Sequence, residues 1–544
     1  RASRWPTSRA GRQIPCIASA CLAFYDSGLG ARTRNNAKMR AFPRLLAAIA
    51  GCWLPAAALG YSVMLHDRLP DVFLSYPELG LEARAAVPDA ASLAHFREQI
   101  YRLLVSTEDA ELRARFLRRY PSPADFSAVA FKELLGSAAL MPTLGFDDYA
   151  AVAASLAESA ELPPHYDPIL PGQERSLLEW VRLGSSYPDL DRRNQNRWWV
   201  VDGELPRTAD GNRIPFDPAI LNMGQVEGLS GQAHAHYGLN DRPKSDDPAV
   251  LKSAPADFAV ATSFEDEVLT FAPERAQAYG DLAILARHLG QPALAALYAG
   301  NGFHYLADLG NQIHTIQVGI YRFFVDATLQ IWKLRVLCLW GLRCEPPGLK
   351  EVGLDIISNH HLWLEEYFRI AVQRALEGRP LHPLLADPVA IFAVDPQAYE
   401  EWRQLPADGP LMLELARRLI AHGNREGPVV YELARALTRG ELRKAGVRLH
   451  FNEGADELVL SYLKPGARQE QMGAFLELQL KGLRRAATAM LVWWQANLAP
   501  GAEPDWRAAR DRLLRQQLDE LDAAEARRTR WIEQHGGLAP DTGS

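Results

Sequence analysis

A recurring apolar periodicity of the helical kind constrains the fold of this chain more than any other feature. Stretches rich in Ala and Leu, with apolar residues three or four positions apart, occupy residues 93–105, 276–290, 293–309, 411–422 and 471–496. Runs that alternate between apolar and polar residues, as strands do, are scarce. Proline-rich breaks near residues 162–171, 206–218 and 380–388 interrupt the helical pattern. The sequence therefore predicts an all-α protein.

Residues 303–317, FHYLADLGNQIHTIQ, combine three side chains of the types that bind metal ions. On a helix, His304 and Asp308 lie one turn apart on the same face, where both can reach one ion. His314 follows six residues after Asp308, about 240° further round an ideal helix, and so points elsewhere. This arrangement suits two neighbouring metal ions better than one. The competing interpretation is that both histidines are ordinary partners in a packed helix.

A second pair with the same spacing lies in residues 359–368, NHHLWLEEYF. Here His361 and Glu365 are four residues apart, and His360 is the alternative to His361. Two helices that each offer an imidazole nitrogen and a carboxylate oxygen are typical of multinuclear zinc sites.

The N-terminal part has the composition of a processed leader. Residues 1–38 are basic and without pattern, and we interpret them as a leader or a misassigned start. From Met39, two arginines precede an apolar stretch that ends in small residues, which predicts a signal peptide over 39–60 and export to the periplasm or the medium. The alternative is a lipoprotein, because the four residues ending at Cys52 are similar to a lipobox.

The run His304-xxx-Asp308-xxxxx-His314, followed by His361-xxx-Glu365, resembles the core of the zinc-dependent phospholipase C and single-strand-specific nuclease superfamily. The resemblance implies a multi-helix fold with three Zn²⁺ ions in a cleft between helices. It also implies a secreted phosphodiesterase.

The same resemblance divides the chain into regions. Residues 61–370 correspond to the zinc-dependent domain, with an insertion at about 70–173, and residues 371–544 are a helical C-terminal extension. Within that extension, residues 505–534 are dense in Arg, Glu and Asp, which predicts a helix that faces solvent.

Further ligands are carried over from the family. Its members hold one zinc through the backbone of the first mature residue and a nearby histidine, which implies Tyr61 and His66, although the family's usual first residue is tryptophan. The run SLLEWVRLG predicts a helix that ends at Gly184, and family members carry an aspartate at about this distance from a helix end. This implies Asp189, five residues after Gly184, as a metal ligand or general base, with Asp191 as the alternative.

The family's next histidine ligand has no counterpart directly after Asp189, where the chain has Arg197-Trp198-Trp199. The nearest suitable motif is GLSGQAHAHYGL, which implies that an insertion has displaced the ligand to His236, with His234 as the alternative. Otherwise one metal ion is bound differently.

The implied chemistry is that of clustered Lewis acids. A water ionised between two zinc ions would attack phosphorus in line, with Asp189 and Asp308 as the catalytic carboxylates. The three zinc ions would be held respectively by His304, Asp308, His236 and Asp189; by Tyr61, His66 and the bridging Asp308; and by His314, His361 and Glu365.

Net charge bears on the substrate. The whole chain carries −7, and because residues 1–60 hold nine Lys or Arg residues and one Asp, the mature part carries about −15. Such a chain does not attract a nucleic-acid polyanion at long range, so a phospholipid is the favoured substrate and nucleic acid is disfavoured. The alternatives are a single-strand-specific nuclease of the same fold and a non-catalytic exported zinc-binding protein.

Two features after the central segment remain open. Residues 321–342 are apolar and aromatic, which favours a core or cleft-lining helix over a surface that contacts a membrane transiently. Cys338 and Cys344, six positions apart, form a disulfide if their geometry allows it.

Overall fold

A computed structural model describes residues 63–124, 126, 172–190, 236–238, 272–316, 321–339, 349–444 and 456–534. These residues are mostly helical, with two strands of three residues each, so the predicted all-α fold is confirmed. The helices are α1 (Val63–Arg68), α2 (Ala90–Val105), α3 (Ala110–Arg119), α4 (Leu177–Leu190), α5 (Ala272–His288), α6 (Pro292–Gly310), α7 (Ile313–Ile316), α8 (Tyr321–Leu339), α9 (Leu349–Leu376), α10 (Pro388–Ile391), α11 (Pro396–Trp402), α12 (Leu411–Leu437), α13 (Asp456–Ser461), α14 (Gln469–Asn497) and α15 (Trp506–Gln534).

Helix α6 is the centre of the packing. It starts with Pro292 at its first turn, where a missing backbone N–H costs nothing, and every residue from Ala293 to Gly310 is buried. Its Ala- and Gly-rich sequence is apolar on all sides, as expected for a helix enclosed by others. Helices α4, α5, α12 and α14 pack around it. The polar side chains of α6 are therefore placed inside the protein.

Two glycine pairs let the backbones of neighbouring helices touch α6. At the crossing with α4, a Cβ added to Gly300 would lie 2.3 Å from the Val181 carbonyl oxygen, and one added to Gly184 would lie 2.3 Å from the Leu297 carbonyl oxygen. Near the end of α6, a Cβ on Gly310 would meet the Gly482 carbonyl oxygen of α14 at 2.8 Å. No larger residue fits at these contacts.

The α4 crossing also corrects a boundary. The sequence indicates a helix end at Gly184, but α4 continues to Leu190 and contains Pro188. Gly184 is used for close packing against α6 and not as a C-terminal cap.

Two short strands, one on each side of residues 87–173, pair with each other. Strand β1 (Arg84–Ala86) pairs antiparallel with β2 (Glu174–Ser176), in the register Arg84 with Ser176. The indole N–H of Trp180 donates to the Ala85 carbonyl oxygen at 2.8 Å and fixes this pair on α4. The two ends of residues 87–173 are thus brought together.

The helices after residue 370 share the same hydrophobic core. Trp493 and Trp494 of α14 contact Phe303 of α6, and Trp494 also contacts Phe73. Helix α15, which the charge pattern predicts to face solvent, instead buries leucines of its first half: Leu513, Leu514 and Leu518. The predicted extension therefore packs on the helices that carry the candidate ligands.

Among the described residues, no helix is long and apolar enough to cross a membrane.

Replacing Gly300 with Ala should destabilise the protein. The added methyl would meet the Val181 carbonyl at 2.3 Å, so α4 and α6 must separate. Such overpacking costs about 2 kcal/mol, even after the gain of roughly 1 kcal/mol from better helix propensity. Urea unfolding followed by circular dichroism measures the loss.

Gly409→Ala is the matched control. Its Cβ would lie 3.6 Å from the nearest atom, the Pro406 carbonyl oxygen, which is an ordinary contact. Its unfolding free energy should stay within about 0.5 kcal/mol of the unmodified protein. Equal losses for the two variants would contradict a backbone contact at Gly300.

Candidate metal centre

One turn of α6 carries His304 and Asp308 into a buried group that we call the Asp308 cluster: His66, His236, His304 and Asp308. All four side chains are fully buried. His66 comes from α1, and Asp71, in the turn of 3-10 helix directly after α1, pairs with Arg182 of α4. His236 comes from the short segment 236–238. Residues far apart in sequence thus converge on one carboxylate.

In the Asp308 cluster, one nitrogen of each imidazole lies 2.6 to 3.3 Å from an oxygen of Asp308. His236 Nδ1 lies 2.6 Å from Asp308 Oδ2 and 2.9 Å from His304 Nε2. His304 Nε2 lies 3.3 Å from the same oxygen, and His66 Nε2 lies 3.3 Å from Asp308 Oδ1. The rings of His66 and His304 stack with centroids 3.9 Å apart.

The tautomer of His304 follows from its other ring nitrogen. Nδ1 lies 2.8 Å from the Ser185 carbonyl oxygen, which can only accept, so Nδ1 carries the proton. In the neutral ring, Nε2 then holds a lone pair that faces both His236 Nδ1, at 2.9 Å, and Asp308 Oδ2, at 3.3 Å. The Gly184–Gly300 crossing makes this bond possible, because Ser185 adjoins the glycine that contacts α6.

Electrostatics favour the ionised form of Asp308. Burial alone would raise the pKa of its carboxyl, but the neighbouring His304 and His236 hold that pKa well below its usual range. A buried carboxylate needs compensating positive charge close by, whether from protonated imidazole or from a bound cation.

A second buried group, the Glu365 cluster, consists of His314 of α7 with His361 and Glu365 of α9. Glu365 Oε1 lies 2.9 Å from His314 Nε2 and 2.7 Å from His361 Nε2. The amide of Asn311 donates to the same oxygen at 3.4 Å. Three nitrogen atoms therefore surround Glu365 Oε1.

Neutral His314 presents a lone pair to Glu365. Its Nδ1 donates to the His236 carbonyl oxygen at 2.9 Å, which leaves Nε2 unprotonated in the neutral ring. Burial lowers the pKa of His314 to about 4, despite the opposing effect of Asp308. At neutral pH, two electron-pair donors thus face each other at 2.9 Å, an arrangement that needs a proton or a cation between them.

Residues 236–238 join the two clusters. The His236 side chain belongs to the Asp308 cluster, whereas its carbonyl accepts from His314. The Tyr237 hydroxyl lies 3.2 Å from His361 Nδ1, and the Gly238 N–H donates to the His314 carbonyl oxygen at 3.1 Å. The clusters are therefore neighbours that share one backbone segment.

His314 reaches the Glu365 cluster through a break in the helix. The sequence predicts its direction from an uninterrupted ideal helix, but α6 ends at Gly310 and α7 starts at Ile313. Asn311 between them has an extended ψ of 116°, and its side-chain oxygen accepts from the Ile313 N–H. His314 does point away from Asp308, as predicted, but the reason is the break at Asn311 and not the angle along one continuous helix.

Both clusters can hold a metal ion. In each of the triads His66/His304/Asp308 and His314/His361/Glu365, the donor atoms all lie within 4.8 Å of one another. Two imidazoles and one carboxylate are the protein ligands of many catalytic zinc sites. With Zn–N and Zn–O bonds of about 2.0–2.1 Å, tetrahedral donors are about 3.3 Å apart. The 3.3 Å separations around Asp308 match this value, and the Glu365 cluster would have to open by about 0.5 Å.

Some predicted residues lie elsewhere or outside the described part. His360, the alternative to His361, donates from Nδ1 to the Ile356 carbonyl oxygen and packs on Tyr431 with ring centroids 5.0 Å apart, so it is not a member of either cluster. Asp189 falls in the last turn of α4, and its side chain lies outside the described residues. Outside them as well are Tyr61, Asp191, His234, Cys52 and Cys344, together with the side chain of Cys338.

Sequence reasoning missed three partners of the ligands. The Ser185 carbonyl orients His304, the Tyr237 hydroxyl contacts His361, and Asn311 donates to Glu365. Only Asn311 left a usable signal, because an asparagine after Gly310 is typical of a helix end. The other two contacts depend on tertiary packing.

Comparisons with known proteins add a weak likeness. No protein-family model matches the chain, and no curated protein matches it. Its structural neighbours are clostridial alpha-toxins. That of Clostridium absonum has 11% sequence identity and a TM-score of 0.26, over 60% of this chain and 56% of the toxin. That of an avian strain of Clostridium perfringens has 10% identity and a TM-score of 0.27, over 69% and 64%.

The chain thus spans less than two thirds of the length of either toxin chain. A likeness at this level carries no argument about activity. The chemistry must be argued from the clusters themselves.

Adjacent histidines on α9 allow a direct test of the Glu365 cluster. His361→Ala removes a donor 2.7 Å from Glu365 and should lower bound zinc by one equivalent per chain. His360→Ala, which removes a ring packed on Tyr431, should leave the zinc count unchanged. Mass spectrometry of the folded proteins under non-denaturing conditions gives both counts. Equal zinc contents in the two variants would exclude His361 as a ligand.

Removing metal should destabilise the fold. Without cations, the buried Asp308 and Glu365 lose the charge that compensates them, and binding free energy is lost by mass action. With free zinc at a thousand times Kd, one site contributes about 4 kcal/mol. The unfolding free energy should therefore fall by at least this amount after treatment with EDTA and recover when zinc is added back. Superimposable urea curves before and after chelation would contradict the assignment.

Proposed function

We propose that this protein is an exported, zinc-dependent phosphodiester hydrolase of the phospholipase C type. The observation that carries the proposal is the pair of adjacent clusters in which imidazole Nε2 atoms face a buried carboxylate at 2.7 to 3.3 Å. Export rests on the signal peptide predicted over residues 39–60.

The donor sets fit the chemistry. Zinc held by these residues would lower the pKa of a water and draw electron density from a phosphoryl oxygen. Two imidazoles and one carboxylate leave net positive charge on each bound Zn²⁺, which suits an anionic phosphodiester. The ionised Asp308 offsets repulsion between neighbouring cations.

Hydrogen bonds to neighbouring residues fix the orientation of the candidate ligand rings. Ser185 and His236 accept from the Nδ1 atoms of His304 and His314, which fixes ring orientation and keeps each Nε2 free to bind. The Tyr237 hydroxyl lies 3.2 Å from His361 Nδ1 and helps to fix the orientation of that ring. Such outer partners typically contribute 10- to 100-fold to metal affinity or activity.

A phospholipid is the proposed substrate. The acidic charge of the mature chain, about −15, disfavours long-range capture of a nucleic acid, whereas it does not oppose a zwitterionic lipid such as phosphatidylcholine.

Substitution of the clustered carboxylates tests the proposal. Asp308→Asn and Glu365→Gln keep side-chain size but remove the charge that faces two imidazoles. We expect each to reduce hydrolysis of a water-soluble phosphocholine diester by more than about a hundredfold and to lower zinc content. Initial rates at saturating zinc measure the loss.

Glu477→Gln is the control, because Glu477 is an exposed carboxylate that pairs only with Lys481 at 3.4 Å among the described residues. It should keep full activity. If the unmodified protein binds zinc but cleaves single-stranded DNA and not the diester, the substrate assignment is wrong. Normal activity in Asp308→Asn would remove the basis of the mechanism.

A further inference from the structure

Helix α8 carries an apolar stripe on its outer face. Val325, Leu329, Trp332 and Val336 are spaced by four, three and four residues, so on an ideal helix they lie within about 60° of arc. Leu329 is 47% exposed and Trp332 is 65% exposed. Trp332 is the one aromatic residue among the exposed large apolar side chains of the described residues.

The opposite face of α8 is firmly attached to the protein. Ala327 and Ile331 are buried, and Asp326 is only 5% exposed. Asp326 accepts two hydrogen bonds from Arg435 of α12, at 2.8 and 3.1 Å, and one from the Tyr431 hydroxyl at 3.3 Å. The orientation of the helix is therefore fixed, with the stripe turned outward.

Basic residues border the stripe on both sides. On the ideal helix, Lys333 lies about 40° beyond Leu329 and Arg335 about 60° before Trp332. Both are exposed, and neither forms an ion pair with any residue that the structure describes. The one acidic residue of α8, Asp326, is engaged by Arg435. An apolar centre with cationic borders is the composition of helices that lie in a membrane interface.

We propose that α8 docks this protein on an anionic lipid surface, with Leu329 and Trp332 inserted among the headgroups and Lys333 and Arg335 contacting lipid phosphates. A tryptophan ring combines an apolar body with a polar N–H, and so suits the boundary between acyl chains and water. This inference goes beyond the proposed hydrolase activity by naming the surface through which a lipid substrate is approached. Docking itself does not depend on the proposed hydrolase activity; only the statement that the docked lipid is the substrate rests on it.

Charge favours a lipid surface over a second copy of the chain. Lys333 and Arg335 attract lipid phosphates within about one Debye length, whereas the same face of a second copy would place these like charges against each other. The helix also connects α7 and α9, which carry all three members of the Glu365 cluster.

Vesicle flotation of the zinc-loaded protein tests the docking face. Vesicles of phosphatidylcholine with 30% phosphatidylglycerol are compared with pure phosphatidylcholine vesicles at about 0.1 M salt. The double variant Leu329→Gln/Trp332→Gln should bind both kinds at least about tenfold more weakly. The double variant Lys333→Gln/Arg335→Gln should lose roughly fivefold per charge on the anionic vesicles and nothing on the zwitterionic ones.

Val389→Gln is the matched control, because Val389 is 76% exposed but lies outside α8. Its vesicle binding should equal that of the unmodified protein. Turnover of a water-soluble phosphocholine diester should be unchanged in all three variants, which shows that the clusters are intact. If the unmodified protein cleaves no diester while α8 variants still lose vesicle binding, the proposed hydrolase function fails and the docking face stands.

Two results would overturn the docking proposal. One is vesicle binding by both α8 variants at the unmodified level. The other is a dimer of the unmodified protein in sedimentation velocity that becomes monomeric in Leu329→Gln/Trp332→Gln, with no vesicle binding in either form. The stripe would then be an interface between copies of this chain.

Discussion

Much in this structure depends on two buried carboxylates, Asp308 and Glu365, whose charge must be compensated. Each must be compensated inside a helical core that is otherwise apolar, and each is surrounded by imidazoles instead of by arginine or lysine. Imidazole is the group that can be neutral at neutral pH and still bind a cation. The close helix crossings follow from the same need. Only glycines at 184 and 300 bring the Ser185 carbonyl near enough to orient His304.

The two pairs spaced by four residues were accessible from sequence because their geometry is local. A helix places His304 beside Asp308, and His361 beside Glu365, whatever surrounds it. His236 was reached less directly, through the family resemblance and an assumed insertion, and the structure brings it to 2.6 Å from Asp308. Its role as a ligand remains a prediction.

What the sequence did not reveal depends on contacts between distant segments. Glycine commonly ends helices, so the sequence predicts a helix end at Gly184, but the partner of Gly184 is a carbonyl on α6, 113 positions away at Leu297. The helix break at Asn311 likewise follows from packing, since Gly310 touches the backbone of α14. The charge pattern predicts the helix α15 but not its buried leucines, because a high density of charge conceals an apolar face that is only half a helix long.

The segment 236–238 makes the two clusters one unit. Its first residue contributes a side chain to the Asp308 cluster and a backbone carbonyl to His314, so the position of a ligand in one cluster sets the ring orientation of a ligand in the other. Tyr237 and Gly238 add contacts to His361 and to the His314 backbone. Residues 236–238 therefore contact ligands of both clusters, although Asp308 and Glu365 lie on different helices. An arrangement in which neighbouring cations act on one phosphodiester requires such a rigid link, because the separation of the cations must match that of the oxygens they bind.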